Sequence, residues 1–479
     1  MHYSSIINIL GLLLVFLSGT MVLPVPFSLY YGDGDLIPFL ASAGITFVAG
    51  LAAFKLSTFR QDLRPKEGFA VVTFGWLFFS AFGSLPFILS GAIPSVTDAF
   101  FETMSGFTTT GATIVTDIEA LPHGVLFWRA LTHWIGGMGI IVLSLAILPF
   151  LGVGGMQLFK AEVPGPTADK LTPRIKETAK ILWAVYVLIT GVEALLLLAG
   201  GMSVFDALCH AFATMATGGY STLNASVGGY DSAFINWVIT FFMLLAGTNF
   251  ALHYRFIKGD WAVYFRNKEF LFFMGMIGLS SAAIVIGLLV SGTSPYRAVE
   301  DSVFQVVSII TTTGFGSADY EEWHFSSQVI LFLLMFSGGC AGSTAGGIKV
   351  IRIYILLKFI FSEIVRLLHP HAITPVRIGR QVINRDVVTN VLGFFALFIL
   401  LFSVGVIVMA GLGLDFPSAF GAVAASLGNI GPGLGSVGPT DNYAHLPLFG
   451  KWFLSLLMLM GRLELFTVVI LFSPSFWKK

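Results

Sequence analysis

Charge is scarce in this chain. Asp, Glu, Lys and Arg make up 11% of its 479 residues, against roughly 25% in soluble domains. That is too little to coat the two or three polar-surfaced domains a soluble chain of this length would form. The 26 basic and 26 acidic residues cancel, so the basic excess of a nucleic-acid binder is missing. Cysteine is nearly absent. Cys209 and Cys340 stand far apart in apolar surroundings, which supports neither a disulfide framework nor a metal site. No Ser/His/Asp set, His-Glu-x-x-His run or paired intramembrane aspartates can be read, which speaks against an enzyme. The chain is instead 56% hydrophobic, with 47 Phe and 53 Gly. This is the composition of a polytopic membrane protein, and so many glycines cannot all be helix filler.

A membrane span needs about 20 mostly apolar residues. Ten segments qualify: 6–29, 37–56, 68–91, 125–152, 178–200, 232–256, 270–291, 326–360, 387–412 and 449–474. The first has no small-residue cleavage site and reads as an uncleaved helix. With both termini in the cytoplasm and the spans alternating, 22 of the 26 Lys and Arg fall on the inner side, as the positive-inside rule requires. Arg129, Arg297 and Lys451 fall outside, and Arg462 falls within a span. Fifteen acids, Asp98, Asp206 and Asp301 among them, fall on the outer side or in outer hairpins. A negative vestibule concentrates cations at a mouth, although depletion of outer bases accounts for part of the asymmetry.

The chain repeats itself four times. Asp98-Ala-Phe-Phe-Glu-Thr-Met-Ser-Gly-Phe-Thr-Thr-Thr-Gly111 aligns without gaps with stretches ending at Gly219, Gly314 and, more weakly, Gly431. Each copy opens with a residue suited to cap a helix: Asp98, Asp206, Asp301 or Ser418. About ten helix-compatible residues follow, too few to cross a bilayer. A Thr/Gly-rich segment then follows that is neither helical nor strand-patterned. Irregular backbone at membrane depth is tolerated where protein buries it or where it lines a watery cavity. A span, a half-helix, a loop and a second span therefore make a re-entrant hairpin. The negative end of each half-helix dipole points into the membrane, and four such ends around one axis favour a cation.

Carbonyls ringed around a narrow axis replace the hydration shell of an alkali cation, and oxygen-only ligation suits hard ions. The candidate ligating segments are Thr109-Thr110-Gly111, Thr217-Gly218-Gly219, Thr312-Thr313-Gly314 and Asn429-Ile430-Gly431. The hydroxyls of Thr110 and Thr313 are expected to add ligands beneath the carbonyls, with Thr217 similarly placed and Ile430 breaking the symmetry. A single Thr-Thr-Thr-Gly reads equally well as a helix end; four in register, each between two spans, do not.

Two further features stand out. The 326–360 segment is interrupted by a run containing Gly338, Gly339, Gly342, Ser343, Thr344, Gly346 and Gly347. Each glycine costs about 1 kcal/mol in a helix interior. A flexible loop crossing the pathway as a gate is expected, with close helix packing as the alternative. Arg462 stands mid-span, where a charge is functional by default. It is expected to face the cavity below the loops and oppose cation flow. The alternative is a pair with backbone carbonyls; Glu464, two residues on, does not share its helix face.

On the four Thr/Gly segments, the broken run Gly338–Lys349 and the final Gly461-Arg-Leu-Glu-Leu465, the whole chain resembles the Trk/Ktr/HKT superfamily of cation transporters. The resemblance implies an all-α polytopic membrane protein of ten membrane spans. Eight of these lie in four covalently linked membrane–pore-loop–membrane repeats around a central pore, and two N-terminal spans precede them. The corresponding ranges are 1–60 for the extra helices, 61–156, 157–260, 261–361 and 386–479 for the repeats, and 362–385 for a basic cytoplasmic linker. It places Gly111, Gly219, Gly314 and Gly431 in a selectivity filter. Relatives from plants with serine at the first glycine tend to pass sodium, so four glycines imply K+ as the transported ion. The resemblance also implies a homodimer in a bacterial inner membrane, gated by the glycine-rich loop. A cytosolic nucleotide-binding regulatory subunit of TrkA type, carrying RCK domains, is the implied partner, docking on the linker and on loops 157–177 and 257–268. The basic linker suits anionic lipid headgroups equally well. Proton- or sodium-coupled symport, and a pore-like subunit of a larger pump, remain as alternatives; an inverted-repeat transporter would need half of the repeats reversed.

Overall fold

The computed structural model describes residues 1–59, 65–139, 175–372, 374–379 and 381–478. Helix dominates it. Six helical stretches among the described residues have the length and apolarity to cross a membrane: Tyr3–Tyr31, Leu36–Leu56, Lys66–Leu89, Glu177–Ala199, Lys268–Val290 and Arg385–Gly411. Two bent pairs bring the number to eight if each counts as one span: Ala233–Ala246 with Phe250–Ile257, turned by 102°, and Leu448–Arg462 with Phe466–Phe472, turned by 114°. Of the expected segments, 125–152 is described only to residue 139, as the helix His123–Trp134 and a π-helical turn Ile135–Gly139. The 326–360 segment is divided into Phe325–Leu334 and Val350–Leu368. The rest of 125–152, most of loop 157–177 and the basic residues Arg60, Arg64, Lys160, Lys170, Arg174 and Arg380 lie outside the described residues.

Apolar side chains such as Leu279, Ile286 and Val290 remain exposed on the outside of the bundle, as expected where lipid rather than water is the solvent. The two N-terminal helices cross at Gly11 and Gly50, where an added Cβ would meet the opposite backbone at 2.5–2.8 Å. Small residues at a crossing let two helices approach closely, which is how helices associate in lipid. The basic linker folds further than its composition suggests. Val350–Leu368 runs into it, and a two-stranded antiparallel hairpin pairs Arg377 with Val382 and Ile378 with Gln381.

Four short helices sit inside the bundle: Val96–Phe107, Val204–Met215, Pro295–Ile310 and Phe416–Gly428. They begin earlier than the repeat alignment suggests. The N-caps are Ser95, Ser203, Ser294 and Asp415. Asp98, Asp206 and Ser418 stand three residues in, and donate their backbone N–H groups to the caps Ser95, Ser203 and Asp415 at 3.0–3.3 Å. These are side-chain N-caps, and in the first two copies the acid at the third position also favours the positive helix end. Asp301 lies two turns into a longer helix that starts at a proline, whose fixed φ suits a first turn.

Candidate functional site

All four short helices end in the same way. Thr109, Thr217, Thr312 and Asn429 hold φ of +52°, +55°, +56° and +55°. The following N–H then reaches back five residues: Thr110 to Ser105 (2.8 Å), Gly218 to Ala213 (2.8 Å), Thr313 to Ser308 (2.9 Å) and Ile430 to Ala425 (2.8 Å). This is the left-handed helix terminator that glycine usually supplies. Here three of the four positions hold threonine, a β-branched residue rarely found there. Such residues cost of order 1–3 kcal/mol each and persist where the surroundings over-determine them. Two residues beyond the cap, Gly111, Gly219, Gly314 and Gly431 again hold positive φ, between +77° and +99°.

The glycines close a circuit. A Cβ on Gly111 would collide with the carbonyl oxygen of Gly218, one on Gly219 with that of Thr313, one on Gly314 with that of Ile430, and one on Gly431 with that of Thr110. Each copy thus abuts the next in the order one, two, three, four and back to one. Glycine is required on two counts, the sign of φ and the neighbouring carbonyl. Beside the circuit a cavity of roughly 120 Å³ touches all four glycines, and Asp441 and Asn224 lie in its wall. The loops that follow the four glycines are tied to one another. Asn224 donates to Asp117 at 2.9 Å, Gly316 N–H donates to Ser226 at 3.2 Å, Gly435 N–H donates to Glu321 at 2.5 Å, and Tyr443 N–H donates to Thr113 at 2.8 Å. Burial, and after it the nearby Asp319, Asp441 and Asp415, push the Glu321 carboxyl above its ordinary range.

The threonine hydroxyls are bonded within and between the copies. Thr110 Oγ1 lies 2.7 Å from Thr108 Oγ1 and accepts from Asn429 Nδ2 at 3.0 Å, and Thr313 Oγ1 lies 2.8 Å from Thr311 Oγ1. Local bonding of this kind at a helix end ties the hydroxyls into the turn. Thr217 is in register with Thr109, not with Thr110, and its hydroxyl donates to Ala216 O at 2.6 Å. Gly218 takes the place of a second threonine, and the ring of His133, stacked on Tyr220 at 4.0 Å, fills the space its side chain would need.

Beneath the circuit lies the glycine-rich segment. It is closed on itself by Gly338 N–H to Ile348 O at 2.8 Å. From there it touches three of the four copies. Gly346 N–H donates to Thr312 Oγ1 at 2.6 Å, and a Cβ on Gly346 would meet Gly428 O and Asn429. Thr344 Oγ1 donates to Met215 O at 3.0 Å. Cys340 N–H donates to Gly247 O at 2.8 Å, which sets Gly339 against the same carbonyl. Ser343 Oγ donates back to Cys340 O at 2.6 Å, and Gly342 and Gly347 take positive φ. The fourth contact is supplied by Arg462. It donates to Thr344 O on the loop at 2.7 Å and to Gly136 O and Gly137 O below the first copy at 2.7 and 2.8 Å. Glu464 pairs with Arg352 instead. Arg462 is thus held by backbone carbonyls, the alternative to its facing an open cavity.

The glycine-rich run predicts one interrupted second span; among the described residues the structure interrupts three, at Gly247–Asn249, at 335–349 and at Leu463–Leu465, and the first is described only to a π-helical turn at Ile135–Gly139. Gly247 and Gly461 were the signals. A Cβ on Gly136 would meet Phe107 O, and one on Gly461 would meet Leu427 O.

Comparison with known proteins gives a consistent result. The family model TrkH, described as a cation transport protein, matches residues 39–479. The chain is similar to the Trk system potassium uptake protein TrkH of Escherichia coli K12, at 44% identity over all of both chains. It is also similar to the Trk system potassium uptake protein TrkI of Halomonas elongata, at 36% identity over 100% of this chain and 98% of that one. Among solved structures, the potassium transporter TrkH from Vibrio parahaemolyticus superposes with a TM-score of 0.90 at 41% identity, covering 100% of both chains.

Proposed function

We propose, because this chain belongs to the TrkH family of cation transport proteins, that it takes up potassium through a central pathway whose narrowest part is the glycine circuit. The observation that carries this reading is the closed order of contacts among Gly111, Gly219, Gly314 and Gly431. The carbonyls of Thr110, Gly218, Thr313 and Ile430 each abut the next glycine of the circuit, and in this reading they substitute for water around a dehydrated K+. The negative ends of four short helices point at the same place. In this reading the chain has ten spans, eight of them in the four repeats 61–156, 157–260, 261–361 and 386–479. Both termini are cytoplasmic and the membrane is the bacterial inner membrane. The segment Gly338–Gly347 is the gate, held shut by Arg462. A homodimer and a cytosolic nucleotide-binding subunit of TrkA type complete the system, the subunit acting on the linker 362–385 and the inner loops. The test is rubidium uptake by proteoliposomes containing the purified chain, with sodium as competitor. Wild type takes up rubidium down its gradient in preference to sodium. Gly111→Ser loses the preference by about tenfold or more, one unit of 1.4 kcal/mol. Uptake with an unchanged ratio in Gly111→Ser contradicts the reading.

A further inference from the structure

Four residues after the aligned Asp98, Asp206, Asp301 and Ser418 stand Glu102, His210, Gln305 and Ala422. They occupy one position on each short helix, facing the strand that climbs away from the circuit. Three of them reach it. Glu102 Oε2 accepts from Ile114 N–H at 2.9 Å, His210 Nε2 lies 3.0 Å from Ser221 Oγ, and Gln305 Nε2 donates to Ala318 O at 3.1 Å. Ala422 has no polar atom to offer, and in the fourth copy Tyr443 OH donates to Gly431 O at 2.8 Å from the other side.

The first copy alone of the four carries a charge at this position. Glu102 Oε1 accepts from Arg129 Nε at 2.9 Å, with the two side chains 0% and 1% exposed. Arg129 does more than neutralise it. Its fork donates to Thr113 Oγ1 at 3.2 Å in the first copy and to Ser221 O at 3.4 Å in the second. Its guanidinium lies 4.2 Å from the centre of the Tyr220 ring. Tyr220, directly after Gly219, donates its hydroxyl to Glu102 O at 2.9 Å and to Ala112 O, directly after Gly111, at 3.3 Å. One buried ion pair thus grips the residues that follow two adjacent glycines of the circuit. Burying two charges seldom gains stability over an apolar pair of the same shape. What it supplies is a planar fork with fixed directions, joined to a buried hydrogen-bonded network of Thr113, Tyr220 and Ser221.

We propose that Glu102 and Arg129 are a positioning pair for ion selection, setting the separation of the first and second copies so that the circuit accepts K+ and rejects the smaller Na+. This rests on the filter reading above. Glu102→Gln keeps an acceptor for Thr113 but removes the charge. Arg129→Lys keeps the charge but removes the fork. The double variant Glu102→Gln/Arg129→Gln removes both charges, so that neither is left buried alone if a single variant fails to fold. Each is purified, checked for a monodisperse and heat-stable fold, and compared with wild type in proteoliposomes for rubidium uptake and its inhibition by sodium. The expected result is a rubidium-over-sodium preference lowered about tenfold, in at least one single variant and in the double variant, with maximal rubidium uptake kept within about threefold. Uptake that falls with its ion preference unchanged assigns the pair a merely structural role and overturns the proposal. So does an unchanged preference with unchanged uptake. If wild type itself shows no preference, the filter reading fails; if wild type discriminates and the variants discriminate equally, only the positioning pair fails.

Discussion

Two neighbouring levels of this molecule follow opposite rules. At the circuit, four stretches of different sequence adopt one conformation. The left-handed caps agree within 4° in φ, and the 6→1 hydrogen bonds lie within 0.1 Å of one another. Below it, three of the second spans break in three different ways, by a bend of 102°, a glycine-rich loop and a bend of 114°, and the described part of the first carries a π-helical turn. Sameness above is what a single dehydrated ion on an axis demands, since equivalent carbonyls must stand at equal distance from it. Difference below is what the proposed gate requires, a barrier that one repeat supplies and the others receive. The loop of the third repeat leans on the second, third and fourth copies through its own backbone and Thr344, and reaches the first through Arg462.

The comparison can be broken in a graded series. The largest effect is expected at the upper level. Gly314→Ala meets both the positive φ and the Ile430 carbonyl. A left-handed residue with a Cβ costs about 1–2 kcal/mol before any collision. Potassium over sodium preference should fall by tenfold or more in the proteoliposome assay, with the protein still purifying intact. Next comes Gly346→Ala in the loop, whose Cβ would press on Gly428 O and Asn429. It should change rubidium flux by about tenfold, the scale of one 1.4 kcal/mol step, with ion preference kept; unchanged flux removes the loop from the gate. Arg462→Ala frees the loop from the first repeat and should raise flux severalfold, again without altering preference. A lower flux would show that the arginine holds the pathway together instead of holding it shut. The smallest effect is expected from making the upper level more alike. Asn429→Thr gives the fourth copy the residue of the other three but loses the bonds to Thr110 Oγ1 and Met458 O. Two such bonds are worth about 1 kcal/mol each, so a lowered melting temperature with near-normal flux is the expected pair of readings.

How much of this was legible in the sequence follows the same division. The four Thr/Gly segments could be aligned by eye, and the glycines chosen from that alignment are the ones with positive φ. Helix starts were misplaced by three residues in three copies, where the residue whose N–H donates to the cap was read as the cap, and by seven in the third. Thr217 was matched to Thr110 because composition was weighed above register. At the lower level only the densest glycine run was visible. Gly136, Gly247 and Gly461 lie against the helix ends at Phe107, Thr311 and Leu427, and one or two glycines in an apolar run look like ordinary packing until those neighbours are seen. The partners of Arg462 are backbone carbonyls more than 100 residues away, and no side-chain pattern announces such partners. The Glu102–Arg129 pair lay hidden because Arg129 counted as an outer base when charges were sorted by side.

The most direct measurement is anomalous diffraction from crystals of the protein grown in rubidium or thallium salt. The account predicts an ion on the axis at the level of the carbonyls of Thr110, Gly218, Thr313 and Ile430. An axis empty of ions at that level, with the anomalous signal elsewhere in the protein, would contradict it.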